Sequence, residues 1–504
     1  MCTMKSKLSA DIYNIIGKIL FGVILILSAV LLYSVIKSGY GYQFDIDELH
    51  HANLVYLYLH GYQPYKNIYN SFYTPIFEWT IMPAFIMFGS ATFSAIAFAR
   101  YIMIILFIVR LFAAYILVRQ IFTKRAALFF LPIFLFDPFL VFSAMQIRPD
   151  NLMMTIYTVA LAVLAFGLKR KNTALLTTSS FLFGLSVLTF MKILPGVAVV
   201  GLVILIYLIA KRMTKFLLPM AIAGLLPFIL FALYGVAIGA LHEMILQIII
   251  EAKSAYYVFQ YPIPFGNFNE PNNIFVYGAM GTPSTWTYVW LLPMIGCAGF
   301  YACVRDIFDK GKNSPESIIK TILCLSVIVQ IFVIFSVPSV FIQHYLLINW
   351  LFALFGAVAL DDALTLLARY RIIQTLLIII LMYFFVTLAR DSYTYNLVRA
   401  GITAPENLKP YETTWSVIPP DEAVFPNYLF RPPTYPIPFG YFIGNVPASV
   451  LARLPSITGM LETKKLKHLV LDDFTMKALA PDVREYITAH YTKLPDSPNI
   501  WVRN

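Results

Sequence analysis

Between Phe44 and His51 the chain reads FDIDELHH, three carboxylates and two histidines within eight residues. An ionised carboxylate in such a cluster can take a proton from a hydroxyl as a general base, or hold a divalent cation together with a second acid. Asp45 and Glu48 stand three apart, the spacing of a helix capping box. A helix starting here employs both and leaves Asp47 in its first turn, where the helix dipole favours the charged form. The literal Asp45-x-Asp47 spacing also suits a divalent cation such as Mg or Mn. His50 and His51 are adjacent, so on a helix they point about 100° apart and do not share an ion easily. A structural or interfacial role suits them better.

Cations that could answer these acids are scattered through the chain. QIRPDN (146–151) joins two apolar runs so closely that the connection is almost all motif. Pro149 fixes the turn, Asp150 or Asn151 can cap the next helix, and Arg148 is a cation suited to a phosphate. Lys192, in FMKILPG, stands between two apolar runs, where a lone lysine is more often a snorkelling anchor than a ligand. Arg100 and Arg110 fall inside an apolar run, Arg110 near its middle. An isolated charge there costs about 2.5–3.5 kcal/mol on insertion scales, so both must face the interior of a bundle or a cavity.

The elements that position these groups are membrane helices. The chain of 504 residues is 60% hydrophobic and only 12% charged, with a mean hydropathy of +0.75, which is the composition of a multi-spanning membrane protein. A net charge of +11 does not point to nucleic acid, because Lys and Arg come as short clusters between apolar runs. Cys297, Cys303 and Cys324 lie in or at the ends of apolar segments and Cys2 is terminal, so no disulfide framework is readable. The run 13–36 is too long for a signal-peptide core and reads as a retained first span.

Apolar runs near 13–36, 92–118, 126–146, 151–168, 173–191, 193–210, 216–238, 285–304, 318–337, 344–361 and 373–389 give about eleven candidate spans. IFEWTIMPAFIMFG (76–89), with Pro83 inside, is short for a span and suits an interfacial or re-entrant helix. With that segment not spanning, Lys5/Lys7, Arg119/Lys124/Arg125, Lys169/Arg170/Lys171, Lys211/Arg212/Lys215, Arg305/Lys310/Lys312 and Arg369/Arg371 share one side. The positive-inside rule makes that side cytoplasmic, which also fixes the N-terminus there. FDIDELHH, QIRPDN, Lys192, the loop 239–284, His344 and the C-terminal tail then share the other side.

The predicted organisation is a membrane domain over 1–389, with the acid motif on a first outer loop, 37–91, and a small extracytoplasmic α/β domain over 390–504. In the latter, LKHLVLDD reads as a strand, MKALAPDVREYITAHY as helix broken at Pro481, and NIWVRN as a final strand. That domain holds no Cys, so its own core must suffice. The tyrosines at 56, 58, 62, 65, 69 and 73 suit an interfacial aromatic belt.

The order of features resembles a known family. A first span, DIDELHHANLVYLYLHGYQPYKN, a TPIF entry to a short apolar segment ending in Phe-Gly, and RPD two runs later are similar to the GT-C superfamily of polyprenyl-phosphate-dependent glycosyltransferases. The likeness is to relatives of the protein O-mannosyltransferases and the lipid A aminoarabinose transferase, over roughly residues 10–210. It implies a GT-C fold in a cell or inner membrane and inverting transfer of a sugar from a polyprenyl phosphate to an extracytoplasmic hydroxyl on a protein, lipid or polysaccharide. The acid motif maps onto Asp47 as base, with Glu48 beside it. Candidates for the donor phosphate are Arg148 and Lys192, then Lys66, with Asp150, His344 and Tyr345 secondary. Asp45 is a metal or cap candidate, and metal need differs between members. One departure is that many relatives carry His or Lys before Pro-Pro where this chain has Thr74-Pro75-Ile76, so no basic ligand carries over there. Competing readings are a lipid or polysaccharide translocase, which should place essential charge at mid-membrane between paired broken helices, and an O-antigen-type ligase or polymerase, which would carry its chemistry on a late outer loop.

Overall fold

The structure is a computed structural model. It describes residues 18–19, 21–34, 36–37, 44, 46–68, 74–136, 144–250, 283–309, 314–336, 346–400, 404–426, 428–434 and 456–504. Asp45, His344 and Tyr345 lie outside them, as does the loop beyond residue 250.

Each apolar run meets a helix within the described residues. In chain order these are α1 (Phe21–Ser34), α2 (Ile46–Leu59), α3 (Ile76–Phe88), α4 (Phe93–Ile121), α5 (Lys124–Phe136), α6 (Pro149–Arg170), α7 (Thr173–Thr189), α8 (Leu194–Ala210), α9 (Leu217–Ala237), α10 (Pro283–Asp309), α11 (Pro315–Ser336), α12 (Leu346–Leu366) and α13 (Arg371–Ala400). Among the described residues six segments are long and apolar enough to cross a membrane: 93–121, 149–170, 191–210, 214–237, 315–334 and 346–369. Helix α7, with 17 residues, is shorter. The segment expected not to span is a 13-residue helix with Pro83 inside, about 20 Å long against a hydrocarbon core of about 30 Å.

Local chemistry sets the turns between helices. Thr92 caps α4 by accepting from the amide of Ala95 at 3.2 Å, and Asn172 caps α7 by accepting from Leu175 at 3.1 Å. Lys171, just before it, takes a left-handed conformation that ends α6. The principal packing runs α10 on α12, α6 on α7, α7 on α9, α4 on α6, α5 on α12 and α8 on α11. Two of these contacts need glycine. A Cβ on Gly299 of α10 would stand 1.6 Å from the Phe355 carbonyl oxygen of α12, and one on Gly184 of α7 would stand 2.1 Å from that of Gly224 on α9. Phe107, Phe130, Phe134, Trp350 and Phe355 fill the centre of the bundle. Outward faces carry exposed apolar side chains such as Leu202 and Leu218, as lipid-facing helices do.

Helices α4 and α6 both begin at the end of the bundle that carries Asp47 and run away from it. At the far end, ion pairs tie the helices together: Arg125 with Asp361, Lys169 with Glu316, Arg305 with Asp362 and Lys320 with Asp306.

After α13 come α14 (Ala404–Val417), α15 (Ile457–Lys464), β1 (His468–Val470), α16 (Asp473–Ala478), α17 (Pro481–His490), β2 (Tyr491–Leu494) and β3 (Ser497–Arg503). The strands form an antiparallel sheet in the order β1-β3-β2. Strands stand where LKHLVLDD and NIWVRN predicted them, and the helix breaks at Pro481. The pattern missed β2, whose first residue was read as the end of the preceding helix. Leu461, Leu469, Leu471, Ile487 and Trp501 build a separate apolar core here.

Candidate active site

Helix α2 opens with Asp47 and Glu48 in its first turn, where the free amides and the helix dipole favour carboxylates. The two side chains part company. Glu48 turns inward and is fully buried, with Arg100 of α4 gripping it through Nε at 2.8 Å and Nη2 at 2.5 Å. The same carboxylate accepts from the amide of Ile147 at 3.0 Å. Arg100 in turn lies 4.1 Å from the centre of the Phe44 ring. Glu48 thus fastens α2 to α4 and to the turn that enters α6. A bidentate, fully paired buried carboxylate has its charge spoken for.

Asp47 keeps 43% of its side chain exposed and meets Nη2 of Arg148 at 2.5 Å. The QIRPDN turn aims that guanidinium. Arg148 is extended at the N-cap position with Pro149 starting α6, Asn151 donates its amide N–H to the Arg148 carbonyl at 3.1 Å, and the Asn151 side chain donates to the Gln146 carbonyl at 2.8 Å. On the other side of Arg148 lies Asp150, with Nε to Oδ2 at 3.9 Å. Asp150 is buried and accepts from Lys192 Nζ at 2.7 Å. Lys192 stands on the short 3-10 turn between α7 and α8, its ammonium 4.6 Å from the Phe190 ring centre. The result is a chain of alternating charge, Asp47, Arg148, Asp150, Lys192, drawn from three places distant in sequence. Only Asp47 at one end of it is substantially open.

Of the sequence-predicted site residues, the structure brings together Asp47, Arg148, Asp150 and Lys192. Lys66 is not among the groups paired there; it lies exposed on the turn after α2. Thr74, at the position where relatives carry a base, donates its hydroxyl to the Leu188 carbonyl at 2.7 Å, fixing the entry of α3 to the end of α7 close to Lys192. His51 is no surface group: its Nδ1 shares a 2.7 Å hydrogen bond with Glu78 of α3, both buried. Glu78 went unremarked in the sequence, although a lone acid in a 13-residue apolar helix was its signal. Tyr56 and Tyr65 are buried in the protein instead of lining an interfacial belt. Among the described residues no three His, Cys, Asp or Glu side chains converge as a metal site.

The C-terminal segment closes over α2. The amide of Phe430 donates to Asn53 Oδ1 at 2.8 Å, and its ring packs among Tyr56, Phe85 and Trp415.

Comparison with known proteins agrees with this architecture. Residues 73–236 match the family model for dolichyl-phosphate-mannose-protein mannosyltransferases. The fold is similar to the crystal structure of ArnT from Cupriavidus metallidurans bound to undecaprenyl phosphate, with a TM-score of 0.54, 13% identity, and 81% of this chain and 83% of that chain covered. It is also similar to the archaeal oligosaccharyltransferase AglB from Archaeoglobus fulgidus in complex with an inhibitory peptide and a dolichol-phosphate, with a TM-score of 0.53, 13% identity, and 94% and 74% of the two chains covered. No curated protein sequence matches the chain. The chain thus resembles that family over residues 73–236 and shares the fold of ArnT and AglB, with apolar helices long enough to cross a membrane.

Proposed function

We propose that this protein transfers a sugar from a polyprenyl-phosphate donor to a hydroxyl acceptor on the extracytoplasmic side, with inversion at the anomeric carbon and with Asp47 as general base. One observation carries the reading: a half-exposed carboxylate stands at the bundle end 2.5 Å from a guanidinium that belongs to a buried cationic cluster. Asp47 takes the proton of the acceptor hydroxyl as the acceptor oxygen bonds to the anomeric carbon. The bond from that carbon to the phosphate oxygen breaks, and polyprenyl phosphate leaves as the anion. Arg148 lies where it can serve both ends of this event, holding the base and stabilising the charge that develops on the leaving phosphate, with Lys192 behind it. The polyprenyl phosphates bound by ArnT and AglB, and the peptide bound by AglB, support a lipid-borne donor and favour a protein acceptor.

Transfer from radiolabelled polyprenyl-phosphate sugars by the purified protein in liposomes tests this. A positioned general base is worth about 10² to 10⁴ in rate, so Asp47→Asn should lose that factor while folding normally. Undiminished turnover by the variant refutes the assignment.

A further inference from the structure

Arg110, singled out in the sequence as a charge that must face the interior, is left without work by this mechanism. It lies on α4, is 2% exposed, and its Nε, Nη1 and Nη2 have no hydrogen-bond partner among the described residues. Two aromatic rings lie near it, with the guanidinium carbon 5.4 Å from the centre of Phe107 and 5.9 Å from that of Phe134. Burying an unpaired cation is costly, so something must use its charge.

The packing register shows what. Thr155 of α6 donates its hydroxyl to the Leu106 carbonyl of α4 at 3.1 Å, which sets those residues level. Arg110 then starts about 6 Å below that level and Asp150 about 7.5 Å above it. Because helical side chains lean toward the N-terminus of their helix, the guanidinium of Arg110 rises along α4, beside the ring of Phe107, toward the level of Asp150. Asp150 is also held by Lys192 and approached by Arg148. The nearby Glu48–Arg100 pair is neutral in itself. Among the described residues, two cations, Arg148 and Lys192, then face two carboxylates, Asp47 and Asp150, with Arg110 beneath them as a third cation.

We infer that Arg110 is a positioning residue that sets the charge of this site: from beneath, without touching substrate, it gives the Asp47–Arg148–Asp150–Lys192 cluster the net positive charge that lets it accept a phosphate anion. When a phosphate draws Arg148 and Lys192 toward itself, the buried carboxylate of Asp150 would otherwise be left beside a second anion. Arg110 then balances it. The inference rests on the reading of this cluster as the donor-phosphate site.

Purified full-length protein in detergent is titrated with undecaprenyl phosphate and, as the neutral control, undecaprenol. One charge about 10–15 Å away, at an effective dielectric constant near 20, changes anion affinity about 6- to 20-fold. Arg110→Met should weaken binding of undecaprenyl phosphate by that factor and leave undecaprenol unaffected. Arg110→Lys should retain affinity, and Arg110→Met/Asp150→Asn, neutralised in pairs, should recover it. Should Arg110→Met aggregate, Arg110→Gln takes its place. Equal affinity of wild type and the uncharged variant for undecaprenyl phosphate overturns the inference, and so does an equal loss toward undecaprenol, which would mark a packing role. If wild type binds no undecaprenyl phosphate, the proposed donor class fails instead, and sodium pyrophosphate decides the charge role. Thermal stabilisation of wild type by pyrophosphate that Arg110→Met abolishes upholds it; stabilisation absent in wild type, or equal in both, overturns it.

Discussion

Asp47 and Glu48 are neighbours of the same chemical type, and their surroundings give them different work. Glu48 loses its water and receives two guanidinium contacts and a backbone amide in exchange, whereas Asp47 keeps 43% of its side chain open. Removing one partner of a buried ion pair costs about 3–5 kcal/mol because the other charge is stranded. Glu48→Gln should therefore lower the thermal unfolding midpoint clearly, and Asp47→Asn should hardly move it; detergent-phase scanning fluorimetry on both compares them. A Glu48→Gln protein as stable as wild type would contradict the bracing role. The sequence could name the acids but not divide their labour, because a capping box and a buried ion pair look alike in one dimension. Arg100 was legible only as a charge that had to face inward. Its partner, 52 positions earlier, depends on which turns of α2 and α4 touch.

Helices were the most legible level, since runs of apolar residues in lipid must satisfy their backbone internally. Their ends and their mutual approach were not. Nothing in GCAGFYAC distinguishes Gly296 from Gly299, yet the latter lies against the backbone of α12. Gly299→Ala forces these helices apart at the most extensively packed pair in the bundle, with an expected loss of about 1–3 kcal/mol or more. Gly201 on α8 has nothing within 4 Å of a built Cβ, so Gly201→Ala should be neutral or slightly stabilising through helix propensity. Comparing the two unfolding midpoints checks the close crossing; an unperturbed Gly299→Ala would deny it. The strand β2 escaped notice for a related reason: YTKL has too few residues to show a period and follows directly on a helix.

At the scale of the molecule, charge is sorted between two ends. The connections 119–125, 169–171, 211–215 and 305–312 carry the basic clusters. Where their residues are described in ion pairs, they tie α5, α6, α10, α11 and α12 together at the end away from Asp47. The acid end instead receives the C-terminal segment, through Phe430 on Asn53 of α2. Short basic connections resist translocation, so the end bearing them should lie in the cytoplasm. Asp47, Arg148, Lys192 and the C-terminal sheet should then all lie outside. This arrangement suits a transferase whose donor arrives within the bilayer and whose acceptor arrives in water. It is less suited to a translocase, which needs its working charge near the midplane; Arg110, midway along α4, has no hydrogen-bond partner among the described residues. A reporter active only outside the cytoplasm, fused after Asn504, should be active, and one inserted between Lys169 and Asn172 should be silent. The opposite pair of results would place Asp47 in the cytoplasm, away from any extracytoplasmic acceptor, and the proposed reaction would fall with it.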